Sequence, residues 1–348
     1  MSLRQQFSDE AADEVARIKR ERDAAVYAAE QTRQQLDQAL RALNVVERVA
    51  QGDITPPQWL APPKPAAKAA TLVVMLSDTH FDEVVQPEEV DGLNAYNRNI
   101  AELRLAAWAR NVVKLSRHYL AGVKYDGCVV LLGGDLFSGD IHEELTETNE
   151  DTMIGSCWYW SERVAAALHV LSTEFKRLHV ASVVGNHGRA TRKPRAKLRA
   201  RTNFDWLLAK VVERHLADKR ITFDIPDGAD ALVNVYNHGH LLTHGDQVSG
   251  GGGIGGIYPP IMRLRARKAQ RYLATGASFQ TLWMGHWHQY LPSPSLVVNG
   301  SLKGWDEYAA VNNFAFEVPQ QALAIVTPEH NITIQSPVFC VDRKREAW

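Results

Sequence analysis

The 348-residue chain is 45 % hydrophobic and 23 % charged, a balance typical of globular proteins rather than of disordered or fibrous ones. Its formal net charge of -1 gives no global argument for a nucleic-acid or membrane partner, so any such claim rests on local clusters. Three cysteines, Cys128, Cys157 and Cys340, are too few and too scattered for a disulfide framework or a thiolate zinc site. Residues Met1 to Glu21 lack the apolar stretch of a signal peptide, and no segment reaches the roughly 18 apolar residues of a membrane span. A cytoplasmic protein with no membrane partner is expected.

In chain order, Asp9 to Ala50 reads as one long helix. Small or apolar residues recur in a heptad, with Val15, Ala29, Leu36 and Leu43 at one position. Ile18, Ala25, Thr32, Ala39 and Val46 occupy the other. Arg22 interrupts the first series and the seam is rich in Ala and Thr, so residues 1–50 form a weak coiled coil at best. A homo-oligomer through this helix is one expectation, and a solitary helix is the other. Residues 51–70 carry five prolines among small residues, which stiffens the chain into a spacer. The domain proper, 71–348, begins at Thr71.

From there, short apolar runs alternate with stretches of helical periodicity, the pattern of an α/β protein with buried strands. The runs are Leu72–Leu76, Cys128–Leu132, Val180–Val184, Leu241–Leu242 and Thr281–Met284. Helices are expected over Asn97–Leu120, Trp158–Leu178, Thr202–Leu216 and Ile261–Leu273. After Leu296 the sequence turns strand-like, over Phe314–Val318, Ala322–Val326 and Ile332–Ile334, and a second, more antiparallel sheet is expected there.

Each of the five runs ends in a polar cluster: Ser77-Asp78-Thr79-His80, Gly133-Gly134-Asp135, Gly185-Asn186-His187, Thr243-His244-Gly245-Asp246 and Gly285-His286-Trp287-His288. Ligands of open α/β sheets sit beyond the carboxyl ends of strands, so five such ends can converge on one spot. Side chains two apart on a strand point the same way, which pairs Asp78 with His80 and His286 with His288. Carboxylate oxygen and imidazole nitrogen suit Mn, Fe, Zn or Ni. A lone His or Asp at a strand end is more often structural, but five clusters in one chain point to a metal site.

The series Asp78-x-His80, Gly134-Asp135, Gly185-Asn186-His187, His244 and Gly285-His286-x-His288 resembles the signature of the calcineurin-like metallophosphoesterases. The segment Asn299-Gly300-Ser301-Leu302-Lys303-Gly304, with Pro319-Gln320-Gln321, is similar to phage-encoded members, which would place the protein in a host cytoplasm. The resemblance implies a β-sandwich flanked by helices, in four αββα layers, behind the N-terminal helical extension. It implies two divalent transition-metal ions, Mn favoured. Asp78, His80, Asp135 and His288 would hold one, and Asp135, Asn186, His244 and His286 the other, with Asp135 bridging. His187 would contact the phosphate and assist the leaving group. The family usually follows Asn-His with an acidic residue, where this chain has Gly188. Asp246 is a weak substitute and reads better as a turn residue.

The activity so implied is hydrolysis of a phosphate ester through a metal-bridging hydroxide, most readily of a phosphodiester in a nucleotide or nucleic acid. Phosphomonoester hydrolysis and a non-catalytic scaffold are the alternatives. Two basic runs bear on the substrate: Arg189, Arg192, Lys193, Arg195, Lys197, Arg199 and Arg201, then Arg263, Arg265, Arg267, Lys268 and Arg271. They suit a polyanion, or they are solvated faces. Asn97, Arg98 and Arg189 are candidate substrate contacts, with helix opening as the other role for the first two. Gly250 to Gly256 lacks the Gly-Lys-Ser/Thr ending of a phosphate loop and reads as a rim loop or a plain connection.

Overall fold

The computed structural model of the protein describes residues 14–37, 69–248 and 256–348. The chain divides into two compact units, Met1–Pro65 and Ala66–Trp348. In the first, residues 14–37 form helix α1, and every one of them is exposed, the heptad residues Val15, Ile18 and Leu36 included. The rest of the expected helix, the proline-rich spacer to residue 68 and the glycines at 250–253 and 255 lie outside the described residues.

The second unit opens with β1 (Ala69–Leu76), two residues ahead of Thr71. In chain order follow α2 (Arg98–Lys114), β2 (Lys124–Leu132), α3 (Glu143–Thr148), α4 (Met153–Glu174), β3 (Leu178–Ser182), α5 (Phe204–His215), β4 (Ile221–Asp224), β5 (Asp230–Val235), β6 (His238–Thr243), α6 (Tyr258–Leu273) and β7 (Thr281–Met284). The chain closes with β8 (Leu291–Ser293), β9 (Leu296–Val298), α7 (Glu307–Val311), β10 (Gln320–Thr327), β11 (Asn331–Phe339) and α8 (Arg343–Glu346).

One sheet has the order β11-β10-β1-β2-β3-β4 and the other β5-β6-β7-β9-β8. The period-two alternation of β1 explains its unbroken apolar run. Leu72, Val74 and Leu76 pack against helices, while Val73 and Met75 face the second sheet. On the helical side, Trp108 and Val112 of α2, Val164 and Leu168 of α4, and Leu208 and Val212 of α5 join one core. Their four-residue spacing puts each pair on one face of its helix. Between the sheets, Val73, Val129 and Ala324 meet Val233, Leu242 and Trp283. On the far side Leu241, Leu282 and Val298 pack with Ile261 of α6. The architecture is therefore the four-layer αββα sandwich that the resemblance implies. No described helix is long and apolar enough to cross a membrane.

Two expectations fail. Residues Phe314–Val318 form no strand; they run irregularly, and Phe314, Phe316 and Val318 are exposed. Local β-propensity without a partner edge does not make a strand. The C-terminal strands also do not build the second sheet. β10 pairs antiparallel with β1, and β11 with β10, so both extend the first. The second sheet instead uses β5, β8 and β9, which sequence reasoning passed over because they are short or alternate with polar residues.

Register aligns the ends that matter. Leu76 pairs with Leu132 and Leu132 with Ser182 in the first sheet, while Thr243 pairs with Met284 in the second. Five polar loops thus leave the two sheets at one end of the sandwich.

Candidate metal centre

The paired ligands are not aimed by strand pleat. Asp78 and His80 follow the last residue of β1, and His286 and His288 follow the last of β7. Asp78, His80, Asp135, His286 and His288 all have left-handed backbone, with φ of 50°, 43°, 48°, 69° and 52°. A non-glycine residue there costs about 1 kcal/mol or more, so the surrounding structure must hold it. Main-chain bonds between the loops do so: Asp78 N–H donates to Gly134 O at 3.1 Å, Thr79 N–H to Asp135 O at 3.0 Å and Gly285 N–H to His244 O at 2.9 Å.

These turns bring the expected ligands together. Donor atoms of Asp78, His80 and His288 lie within 4.8 Å of one another, as do those of Asp135, His244 and His286, and those of His80, Asp135 and His187. The Nε2 atoms of His80 and His288 are 3.2 Å apart, and His288 Nε2 is 3.5 Å from Asp78 Oδ1. His244 Nε2 lies 2.8 Å from Asp135 Oδ2 and 3.2 Å from Asn186 Oδ1.

The donor set fits a cation. His244 Nδ1 is 2.8 Å from Gly133 O, which can only accept, so Nδ1 carries the proton. The lone pair of neutral Nε2 then faces two oxygens, and such an arrangement needs either a second proton or a metal ion. Spacings near 3 Å between ligand atoms match metal–ligand bonds of about 2.0–2.2 Å. Charges agree. Burial opposes a proton on His244, but Asp135 and Asp78 pull it up to about 10, the pull that a bound cation would satisfy instead. Burial pushes His80 and His286 down to about 4, with Lys303 and His244 respectively adding to it, so both are neutral imidazoles at pH 7, the form in which they could ligate. Burial would raise Asp78 and Asp135, yet the neighbouring imidazoles hold Asp78 below and Asp135 well below the ordinary aspartate range.

Supporting residues that the sequence did not single out complete the centre. Glu83 Oε2 lies 3.1 Å from His80 Nδ1, and its other oxygen accepts from Lys303 Nζ at 2.7 Å. Lys303 also pairs with Asp306, and all three side chains are buried. A carboxylate behind a ligating imidazole fixes its tautomer and raises its basicity. Asp205, fully buried at the start of α5, accepts from the main-chain N–H groups of Asp135 (3.1 Å), Leu136 (3.1 Å) and Gly185 (2.9 Å). Burial, then the charge of Asp135, pushes its pKa up to about 6. At Gly185 a Cβ would overlap the Asp135 carboxylate, so only glycine lets the Asn186 loop approach.

The departure at Gly188 finds its reason here. A Cβ on Gly188 would lie 2.6 Å from Asn203 Oδ1 and 3.1 Å from the Asp205 carboxyl carbon. The volume an acidic side chain would fill is already taken by a carboxylate supplied from α5. His187 is oriented otherwise, with Nδ1 donating to Ser138 O at 2.7 Å. Asp246 does not reach it and pairs with Arg199 at 2.8 Å. The segments 299–301 and 320–321 brace the first turn. Gln321 Oε1 accepts from Ser77 N–H at 2.9 Å and from Asn299 Nδ2 at 2.7 Å, and Ser301 Oγ donates to Asp78 O at 2.9 Å.

The expected substrate contacts are engaged elsewhere. Asn97 caps α2, accepting from Ile100 N–H at 3.0 Å. Arg98 holds Asp82 at 2.6 Å and Asp151 at 2.9 Å. Arg189 donates to the carbonyls of Asn186 and Thr191 at 2.7 and 2.9 Å. In the basic runs, Arg201 pairs with Asp227, Lys268 and Arg271 pair with Asp230, and Arg265 donates to the Ser295 and Gln280 carbonyls.

Fold and site together define an α/β sandwich protein with a candidate two-ion centre at the carboxyl ends of its strands. No protein-family profile matches the chain, and no curated protein does. Among solved structures it is similar to Vps29 complexed with zinc from Entamoeba histolytica, at 12 % identity and TM-score 0.29, over 77 % of this chain and 99 % of that one. It is also similar to a predicted phosphoesterase from Streptococcus pneumoniae, at 11 % identity and TM-score 0.28, over 78 % and 98 % of the two chains. The phosphoesterase Yfce from E. coli gives 14 % identity and TM-score 0.31, over 77 % and 99 %. The functional reading rests on the geometry of the site itself.

Proposed function

We propose that the chain hydrolyses phosphate esters with the aid of two divalent transition-metal ions, and that it acts as a phosphodiesterase. The observation that carries this is the packing of His244 Nε2, Asp135 Oδ2 and Asn186 Oδ1 within about hydrogen-bond distance, with the one fixed imidazole proton on the opposite side of the ring. Asp78, His80, Asp135 and His288 would hold one ion, and Asp135, Asn186, His244 and His286 the other, manganese being the first choice among Mn, Fe, Zn and Ni. When bound, such ions lower the pKa of water and neutralise charge on phosphate oxygens. The rest is the work of the chain. His187, anchored through Nδ1 on Ser138 O, turns its Nε2 edge to the substrate and hydrogen-bonds the ester. Burial holds its pKa below the ordinary histidine value. A phosphate anion beside it restores proton affinity, so Nε2 can carry a proton to the leaving oxygen.

The preference for diesters follows from charge. The cleft beside the centre holds Glu89, Glu144, Glu307 and Glu317, besides the buried Glu83–Lys303–Asp306 chain. A monoester brings a charge of about -1.5 to -2 at pH 7 against these acids, and a diester brings one negative charge. The test is hydrolysis of bis(4-nitrophenyl) phosphate and 4-nitrophenyl phosphate by metal-reconstituted protein, with and without chelator. Chelator-sensitive turnover favouring the diester is expected. A preference for the monoester would reassign the protein as a phosphatase. No turnover of either with Mn, Fe, Zn or Ni by folded protein would replace an enzyme with a binding scaffold.

A further inference from the structure

Beyond the metal ligands, the cleft has a chemistry of its own. It encloses about 1110 Å³, enough for a ligand of nucleoside size or larger. One wall is apolar and aromatic, formed by Trp305, Tyr308, Val311, Phe314 and Val318. Tyr308 is 67 % exposed, Val311 81 % and Phe314 48 %, so these side chains pack on little else. They come from α7 and the irregular stretch after it, the segment whose strand-like sequence finds no partner edge. Tyr308 and Phe314 stand edge to face at 5.8 Å, and Trp305 Nε1 donates to Phe314 O at 3.3 Å, which ties two residues of the wall together. An aromatic face left open beside a reactive centre is a stacking platform.

Around this wall the charge is one-sided. Among the described residues that line the cleft, seven are Asp or Glu and one, Lys303, is Lys or Arg. Lys303 is buried and spent on Glu83 and Asp306. The arginines after His187 do not compensate, since Arg189, Arg195 and Arg199 line a separate, much smaller pocket with Asp246.

We infer that the cleft selects phosphodiesters with a single phosphate and an uncharged or cationic aromatic group, which stacks on the Tyr308–Phe314 wall, and that it disfavours polyphosphates and nucleic-acid strands. The inference rests on the phosphoesterase reading. The lone phosphate charge is drawn to the metal centre. Any further phosphate along the cleft meets Glu89, Glu144, Glu307 or Glu317, with no unpaired Lys or Arg among the described residues that line it. Aromatic stacking is worth about 1–3 kcal/mol per ring, roughly a fivefold to hundredfold effect on binding.

The experiment compares metal-loaded wild-type protein with Tyr308→Ala, Phe314→Ala, the double variant Glu307→Gln/Glu317→Gln and, as a control, Tyr119→Ala, an exposed residue outside the cleft. Substrates are bis(4-nitrophenyl) phosphate, a dinucleoside monophosphate, a dinucleoside polyphosphate and a single-stranded oligonucleotide. The expected result is a KM for bis(4-nitrophenyl) phosphate raised about fivefold or more by either aromatic truncation and unmoved by Tyr119→Ala. Wild type should prefer the dinucleoside monophosphate to the oligonucleotide per scissile bond, and the double glutamine variant should narrow that gap. Equal or better cleavage of the oligonucleotide, weakening steeply with salt, would overturn the inference in favour of a nuclease. So would an unchanged KM in both aromatic variants. Absence of turnover on every ester by folded protein is a different result, which overturns the phosphoesterase reading itself.

Discussion

Behind His80 stands a chain of charged side chains, whereas behind His244 and the Asp135 and Asn186 loops the contacts run to main-chain groups. Behind His80 stands a buried ionic chain, Glu83 to Lys303 to Asp306. Behind His244 stands the Gly133 carbonyl, and behind the Asp135 and Asn186 loops stands Asp205 on three peptide N–H groups. The charged side can tune ligand basicity, because the Glu83 carboxylate lies 3.1 Å from the imidazole Nδ1. The other side fixes position, because the Gly133 carbonyl and three peptide N–H groups gathered on Asp205 tie the loops together. Asp135, placed to serve both, sits where the two kinds of support meet.

The comparison can be broken by mutation. The largest effect is expected from Asp205→Ala, which leaves three buried N–H groups unsatisfied at about 1–3 kcal/mol each. Turnover should fall about hundredfold or more, and metal retention after dialysis should fall with it. Because burial raises the folded pKa of Asp205 to about 6 from 3.8, chelated wild-type protein also carries a pH signature. The contribution is complete below pH 3.8 and is lost as pH rises through 6, by up to about 3 kcal/mol. Chemical denaturation across pH 4 to 7 should show this fall in wild type and not in Asp205→Asn. A smaller loss, roughly tenfold in metal affinity, is expected for Glu83→Gln, which keeps the shape but removes the charge behind His80. Equal losses in Asp205→Asn and Glu83→Gln, with identical pH profiles, would erase the distinction between the halves. Smallest is Asn97→Ala, which removes a helix cap outside both halves. It should cost about 1 kcal/mol in thermal stability, read by the melting temperature.

Much of this centre is legible in the sequence, because apolar runs ending in Asp, His and Asn mark strand ends whatever the topology. What stays hidden depends on position in space. Asp205 reads as an ordinary first-turn acid of an amphipathic helix, and only the fold carries it under the Asp135 loop. Glu83 and Lys303 are 220 residues apart, and no local pattern announces a buried pair. Strand alternation also suggested the wrong cause for the paired ligands, since their aim comes from left-handed turns just past the strands. Phe314–Val318 shows the limit from the other side: its composition is that of a strand, but it pairs with no sheet and runs irregularly.

The central claim is that Asp78, His80, Asp135, Asn186, His244, His286 and His288 surround a pair of cations. Metal content by elemental analysis, after chelation and reloading with manganese, tests it on wild type beside Asp135→Asn, Asn being close to isosteric with Asp. The account predicts about two ions per chain in wild type and loss of both, or nearly so, when the shared carboxylate is gone. Wild-type protein that stays folded yet takes up no manganese, iron, zinc or nickel would contradict it.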